Sequence, residues 1–125
     1  MPLHHVVCII DDDEALRSGV IALFRSARLE VRDFASAEAF LEALPVEGLA
    51  CVVTDLRMPP GMGGLELWAE LLGAGIKVPL ILMSAYLTPQ VVDTAVSLGV
   101  AAVLEKPVDP DLLLERLFAV LPAGG

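Results

Sequence analysis

An apolar run that ends in a single carboxylate constrains the fold of this chain more than any other stretch. Residues 51–54 read Cys-Val-Val-Thr, Asp55 follows them, and a Met58-Pro59 turn comes shortly afterwards. Such a run is typical of a strand that is buried on both faces of a parallel sheet. Ligands of open α/β sheets bind outside the carboxyl ends of the strands, which is where Asp55 is predicted to lie.

Two further predicted strands end in residues that suit the same chemistry. The apolar run 5–10 leads into Asp11 and Asp12, and the short run 101–104 is followed by Lys106. The carboxyl ends of parallel strands meet at one edge of a sheet. The sequence therefore predicts that these three strand ends come together.

Strands and helices alternate five times along the chain. Apolar runs predict strands at 5–10, 29–34, 51–55, 78–83 and 101–104. Helical spacing and cap signals predict helices at 14–27, after Ser36 up to Pro45, around 65–72, from Thr88-Pro89 to Gly99, and from Asp109-Pro110 to 121. This pattern predicts a flavodoxin-like (βα)5 three-layer sandwich with right-handed crossovers. Because the second strand alternates polar and apolar residues, it is expected at an edge, in the order 2-1-3-4-5.

Length and composition limit the class of protein. A chain of 125 residues, 56% of them hydrophobic, suits one folded domain, which we place at 1–121 with a tail or linker start at 122–125. The sequence has neither a membrane-length apolar run nor a signal peptide, so a cytoplasmic protein is expected. Eight basic and seventeen acidic residues give a net charge of −9, which disfavours nucleic-acid binding by this domain.

The cysteines and histidines are not predicted to form a site. Cys8 and Cys51 lie in apolar strand runs and are expected to be buried free thiols that pack the core. His4 and His5 stand at the start of the first strand, where we expect them to be solvated.

The carboxylates at the strand ends point to a divalent cation. Asp11, Asp12 and Asp55 would raise one another's pKa values if left close together without a cation. Mg²⁺ prefers octahedral oxygen ligands, and two carboxylates with a backbone carbonyl suit it. Asp13 is expected in the first turn of the first helix, as a helix N-terminal charge and not as a ligand.

A carboxylate beside a metal ion suits nucleophilic attack on a phosphoryl group, which gives an aspartyl phosphate. The transferring group spreads negative charge over three oxygens, which need cations and hydrogen-bond donors around them. Lys106 offers a positive charge at the end of the fifth strand, and Ser84 offers a hydroxyl at the end of the fourth.

Over essentially its whole length the chain resembles a response-regulator receiver domain. The matching stretches are Ile-Ile-Asp-Asp-Asp-Glu, Thr-Asp-Leu-Arg-Met-Pro, Met-Ser-Ala and Glu-Lys-Pro. The second of these, together with Phe-Ala-Ser-Ala-Glu-Ala-Phe-Leu at 34–41, is similar to the FixJ-type branch in particular. The resemblance implies that Asp55 is the phosphoacceptor and that Asp11 and Asp12 hold Mg²⁺ together with the backbone carbonyl of Arg57.

The resemblance also implies how the phosphoryl group is held. Ser84 would hydrogen-bond to it, and Lys106, which precedes a cis peptide bond to Pro107 in this family, would pair with it. A histidine kinase or phosphotransfer protein would be the phosphodonor. The surface of the fourth helix, fifth strand and fifth helix would then change its contact with an effector domain or a second copy and so control transcription. Such a domain is a signalling switch and not a turnover enzyme, with no membrane contact expected.

Two departures from the family pattern bear on switching. The loop that follows the acceptor is one residue longer than usual at 60–63, which could alter phosphorylation rate or metal geometry. Val103 stands where the family usually has an aromatic switch residue. Tyr86 either takes over that role or is an exposed loop residue, and the sequence leaves both readings open.

Three other functions would use a similar fold or a similar set of residues. A phosphatase resembling the haloacid dehalogenase class needs a second acid two residues after the nucleophile, where this chain has Arg57. A flavodoxin is disfavoured because its first strand would end in phosphate-binding hydroxyls and amides. A receiver that only binds partners remains the main alternative.

Overall fold

The computed structural model describes residues 5–122, in which five strands alternate with five helices. The strands are β1 (Val6–Ile10), β2 (Glu30–Phe34), β3 (Leu49–Asp55), β4 (Leu80–Ser84) and β5 (Ala102–Glu105). The helices are α1 (Glu14–Ser26), α2 (Ala37–Ala43), α3 (Gly64–Gly73), α4 (Pro89–Ser97) and α5 (Pro110–Val120). His4 and the tail residues 123–125, on which the sequence makes predictions, lie outside the described residues.

The five strands form one parallel sheet in the order β2-β1-β3-β4-β5. This arrangement confirms the predicted flavodoxin-like order, with β2 at one edge. Ile10 is paired with Thr54, so that Asp11 and Asp55 are the next residues on two neighbouring strands. The register alone therefore brings these carboxylates to the same edge of the sheet.

Each face of the sheet is covered by its own hydrophobic core, as expected when side chains alternate between the faces of a strand. On one side, α1 and α5 cover alternate residues of the central strands; their buried contributions are Phe24, Leu113 and Leu117. On the other side lie α2, α3 and α4, whose buried contributions include Phe40, Leu67, Trp68 and Ala95. Residues 51–54 of β3 are all buried, which confirms the prediction of a strand covered on both faces. All five residues of both β1 and β4 are buried as well.

Four of the five helices begin at a side-chain cap, and three of these caps are the ones that the sequence indicates. Asp13, Ser36, Thr88 and Asp109 each accept a backbone N–H of the first turn. Asp13 is thus the N-cap residue just before α1, one position outside the turn in which it was predicted. Such caps are each worth about 1 kcal/mol, and they fix where each helix leaves the sheet edge.

Several boundaries and exposures differ from the predictions. β4 starts at Leu80 and not at 78, because Pro79 lacks the N–H that a central strand donates. Although the apolar spacing around 65–72 includes Leu72, this residue is 50% exposed, because Leu67, Trp68 and Leu71 form the buried face of α3.

His5 is partly buried and the two cysteines are fully buried. His5 is not freely solvated, because its Nε2 atom is buried and has no hydrogen-bond partner among residues 5–122. Cys8 and Cys51 are buried free thiols, as predicted. Burial raises the pKa of the Cys8 thiol to about 11 and that of Cys51 to about 12, so neither is a reactive thiolate at neutral pH. In the described part of the chain, no helix combines the length and apolarity needed to cross a membrane.

Gly64 is expected to be the least replaceable glycine of the helices. A Cβ added there would lie 2.6 Å from the backbone oxygen of Asp55, whereas a Cβ at Gly19 on α1 would meet nothing within 4 Å. Gly64→Ala should lower the free energy of unfolding by about 1–3 kcal/mol through overpacking. Gly19→Ala should raise it by up to about 1 kcal/mol through helix propensity. Urea unfolding of both variants measures this contrast, and equal effects at the two positions would contradict it.

Candidate functional site

Three carboxylates lie together at the carboxyl edge of the sheet, as the sequence predicts. Asp11, Asp12 and Asp55 each place one oxygen within 4.8 Å of the others. Asp11 is fully buried, Asp12 is exposed, and the side chain of Asp55 is 13% exposed. They meet because Asp11 and Asp12 directly follow β1, and Asp55 ends its neighbour β3.

Lys106 brings a positive charge to these acids from the end of β5. Its Nζ atom lies 2.8 Å from Oδ2 of Asp11 and 3.2 Å from Oδ2 of Asp55. The backbone N–H of Lys106 donates to the carbonyl of Ser84 at 2.8 Å, which ties the start of the β5–α5 loop to the end of β4. The Lys106–Pro107 peptide bond is cis, as the resemblance implies.

The pKa values of this pair reflect burial and close charges. Burial, followed by the charge of Asp11, raises the pKa of Asp55, although Lys106 and the backbone N–H of Arg57 act in the opposite direction. Burial disfavours the ammonium form of Lys106, but its hydrogen bonds and charge interactions with Asp11 and Asp55 outweigh this and raise its pKa. Lys106 therefore offsets only part of the repulsion that Asp55 experiences.

The residues present fit a hard divalent cation. Three carboxylates face one ammonium group, so the cluster has an excess of negative charge that a cation would neutralise. Carboxylate oxygens are the donors that Mg²⁺ prefers. Arg57 lies two residues beyond Asp55, its N–H is directed at that carboxylate, and its carbonyl is the candidate fourth ligand.

The three residues considered for switching occupy different environments. Ser84 is buried at the end of β4, and its Oγ atom accepts the backbone N–H of Tyr86 at 3.2 Å. Tyr86 is 82% exposed. Val103 is partly buried and packs against the core on the side of α2, α3 and α4.

Arg17 supports the site and was not among the residues singled out from the sequence. Its Nη1 atom donates to the backbone carbonyl of Asp11 at 2.8 Å, and its Nε atom donates to Oδ2 of Asp33 at 3.1 Å. It thereby joins the end of β1 to the end of β2. The sequence signal that could have indicated this contact is an arginine one turn into the first helix, together with Asp33 near the end of the second strand.

Replacing Asp55 by Asn is expected to stabilise the cation-free protein at neutral pH. Because folding raises the pKa of Asp55, its ionised form destabilises the fold above that raised pKa, and the penalty is lost as the pH falls toward the ordinary value of 3.8. The free energy of unfolding should rise by a few tenths to about 1 kcal/mol, as for other partly exposed charges. Urea unfolding at several pH values measures this gain.

Magnesium should reverse that order of stability. A ligand that binds only the folded state stabilises it by about 2.7 kcal/mol at a hundred times its dissociation constant, and Asp55→Asn removes one candidate ligand. Two results would contradict this expectation. Asp55→Asn could be less stable than the wild type without Mg²⁺, or Mg²⁺ could raise its free energy of unfolding by as much as it raises that of the wild type.

Arg17→Ala is expected to lower the free energy of unfolding by about 0.5–1.5 kcal/mol, because it removes a charge-assisted hydrogen bond to the Asp11 carbonyl. Arg25 is an exposed arginine on the same helix, and Arg25→Ala is the matched control. This control should change the free energy of unfolding by less than about 0.5 kcal/mol. Chemical denaturation compares the two, and an equal loss would show that net charge is responsible and not the contact with Asp11.

Comparison with known proteins agrees with this geometry. Residues 7–118 match the family described as the response regulator receiver domain. The chain is 39% identical over 121 residues to the transcriptional regulatory protein FixJ of Azorhizobium caulinodans, covering 97% of this chain and 57% of that protein. It is 37% identical over 115 residues to FixJ of Bradyrhizobium diazoefficiens, covering 92% of this chain and 56% of the relative.

A solved structure shows the same fold. The response regulator receiver protein from Pseudomonas putida superposes with a TM-score of 0.87 at 26% identity, covering 95% of this chain and 99% of that one. The chain spans only a little over half the length of the two FixJ relatives. On the matched residues and the shared fold, the chain belongs to the response regulator receiver domain family and is of the FixJ type.

Proposed function

We propose that this domain accepts a phosphoryl group on Asp55 with the help of Mg²⁺. The observation that carries the proposal is the cluster of three carboxylates within 4.8 Å, with Lys106 3.2 Å from the proposed acceptor. Asp11, Asp12 and Asp55, with the carbonyl of Arg57, would hold the cation. When bound, it would neutralise negative charge on the acids and on the incoming phosphoryl group.

Asp55, Lys106 and Ser84 would each have a different role in the phosphoryl transfer. A carboxylate oxygen of Asp55 attacks phosphorus while the bond from phosphorus to the donor's imidazole nitrogen breaks, and the imidazole keeps the electron pair and takes up a proton. The ammonium group of Lys106 pairs with the phosphoryl oxygens as charge develops on them. Ser84 is the candidate hydroxyl donor to one of these oxygens, because its O–H is free to rotate while Oγ accepts the N–H of Tyr86.

Phosphorylation would act as a switch by favouring one of two conformations. In the state with bound phosphoryl, Ser84 and the loop that follows it move toward Asp55. The surface formed by α4, β5 and α5 then changes its affinity for an effector domain or a second copy of the chain. The similarity to the transcriptional regulatory protein FixJ supports control of transcription as the output.

The phosphodonor would be a sensor histidine kinase or a phosphotransfer protein in the cytoplasm. The receiver would assist both its phosphorylation and its slow dephosphorylation, so it acts as a signalling switch. The domain would extend over 1–121, with 122–125 beginning a linker. With a net charge of −9 the domain itself would not bind nucleic acid.

A receiver that only binds partners is the second candidate. Two observations favour it: Val103 occupies the usual position of the aromatic switch residue, and Tyr86 is 82% exposed. In that case the fold and the interaction surface would be retained, and Asp55 would carry no phosphoryl group.

Intact mass after incubation with Mg²⁺ and acetyl phosphate tests the proposal. The wild type should gain one phosphoryl group, and Asp55→Asn should gain none because its amide cannot act as the nucleophile. Removing the cation with a chelator should also prevent the adduct. A folded wild type that remains unmodified with saturating Mg²⁺ would contradict the proposal and favour the binding-only receiver.

A further inference from the structure

The loop between β3 and α3, residues 56–63, is connected to α2 through Glu38. Oε2 of Glu38 accepts the backbone N–H of Met62 at 2.8 Å. Glu38 is the second residue of α2 and is solvent-exposed, so packing does not force its carboxylate toward this loop. The hydrogen bond lowers the pKa of the Glu38 carboxyl, which is therefore ionised at neutral pH.

The loop gives Glu38 the space to make this contact. A Cβ added to Gly61 would lie 2.8 Å and 2.9 Å from the two carboxylate oxygens of Glu38. Any larger residue at this position would therefore displace the Glu38 carboxylate. Gly61 belongs to the stretch 60–63, which is one residue longer than the pattern that the sequence resembles. The added length and the contact with α2 thus occur at the same point of the loop.

The loop is closed by two hydrogen bonds near its ends. Gly64 N–H donates to the carbonyl of Leu56 at 3.0 Å, and Gly63 N–H donates to Oε1 of Glu66, in the first turn of α3, at 3.1 Å. The loop therefore returns to the acceptor strand at Gly64. Between these fixed ends, Glu38 supplies a hydrogen bond from a neighbouring helix to the middle of the loop.

We propose that Glu38 is a positioning residue, which holds the 56–63 loop so that Arg57 stays directed at Asp55 and at the bound cation. The inference rests on the proposed function, because Arg57 provides the candidate carbonyl ligand. Without the Glu38 contact, the middle of the loop would keep its Gly61–Met58 backbone hydrogen bond but lose its connection to α2, so that the Arg57 peptide would be positioned less precisely. Cation affinity and phosphoryl acceptance should then both fall.

Four single substitutions in the whole chain, and one double substitution, test the proposal through the Mg²⁺ dissociation constant, measured by calorimetry. Glu38→Ala should raise it about three- to tenfold, the size expected for one exposed hydrogen bond to a charged group. Glu38→Gln keeps an acceptor oxygen and should stay within about twofold of the wild type. Glu42→Ala removes the same charge from an exposed position of α2 and should also stay within about twofold.

Gly61→Ala provides an independent test of the same contact. Its Cβ should displace the Glu38 carboxylate and raise the Mg²⁺ dissociation constant by about as much as Glu38→Ala does. Combined with Glu38→Ala it should have little further effect, because the contact is already absent. Additive losses in this cycle would contradict the proposal.

Amide hydrogen exchange separates positioning from general stability. Glu38→Ala should accelerate exchange of the Met62 N–H and leave that of Gly63, which is bonded to Glu66, unchanged. If Glu38 had a merely structural role, Glu38→Ala would lower the free energy of unfolding and leave the Mg²⁺ affinity of the folded protein unchanged.

The proposal is overturned if Glu38→Ala binds Mg²⁺ as tightly as the wild type, or if Glu42→Ala weakens Mg²⁺ binding as much as Glu38→Ala does. A wild type that binds no Mg²⁺ overturns both the proposed function and this inference, and that result is recognised without any variant.

Discussion

The site depends on one buried ion pair between residues 95 positions apart in sequence, Asp11 and Lys106. A fully buried carboxylate is costly unless it is paired and hydrogen-bonded. Asp11 meets both conditions, because Lys106 lies 2.8 Å from Oδ2 and the backbone N–H of Asp13 donates to Oδ1 at 2.9 Å. The pairing requires that β1 and β5 end at the same edge of the sheet, which the parallel order provides.

The ion pair between Lys106 and Asp11 leaves the negative charge of Asp55 only partly neutralised. Lys106 is shared between two carboxylates, and the raised pKa of Asp55 records the remaining penalty of burial and repulsion. A bound cation would reduce this penalty, whereas a phosphoryl group on Asp55 would add negative charge that the cation and Lys106 must offset. A phosphoryl group would shift the population of the surrounding loops only if it interacted differently with their alternative conformations. The energetic strain at the sheet edge and the proposed switching function thus have the same origin, while the two cores beneath it supply the stability.

Much of the fold and of the acid cluster could be predicted because both follow from local patterns. Runs buried on both faces and cap residues such as Thr88 define elements, and parallel topology then brings strand ends together. The contacts of Arg17 and Glu38 could not be predicted in this way, because each joins elements distant in sequence through a side chain without any periodic pattern. The same reason applies to Leu72, whose exposure depends on how α3 is rotated against the sheet.

We propose that the carboxylates at the ends of β1 and β3 form one cation site, which the loop after Asp55 completes. Titration of the uniformly ¹⁵N-labelled protein with Mg²⁺, followed by amide chemical shifts, distinguishes this site from binding at scattered surface acids. The amides of Asp12, Leu56 and Arg57 are expected to shift together and give one dissociation constant. Unchanged shifts at these three positions with saturating Mg²⁺, or shifts confined to acidic residues remote from this edge, would contradict it.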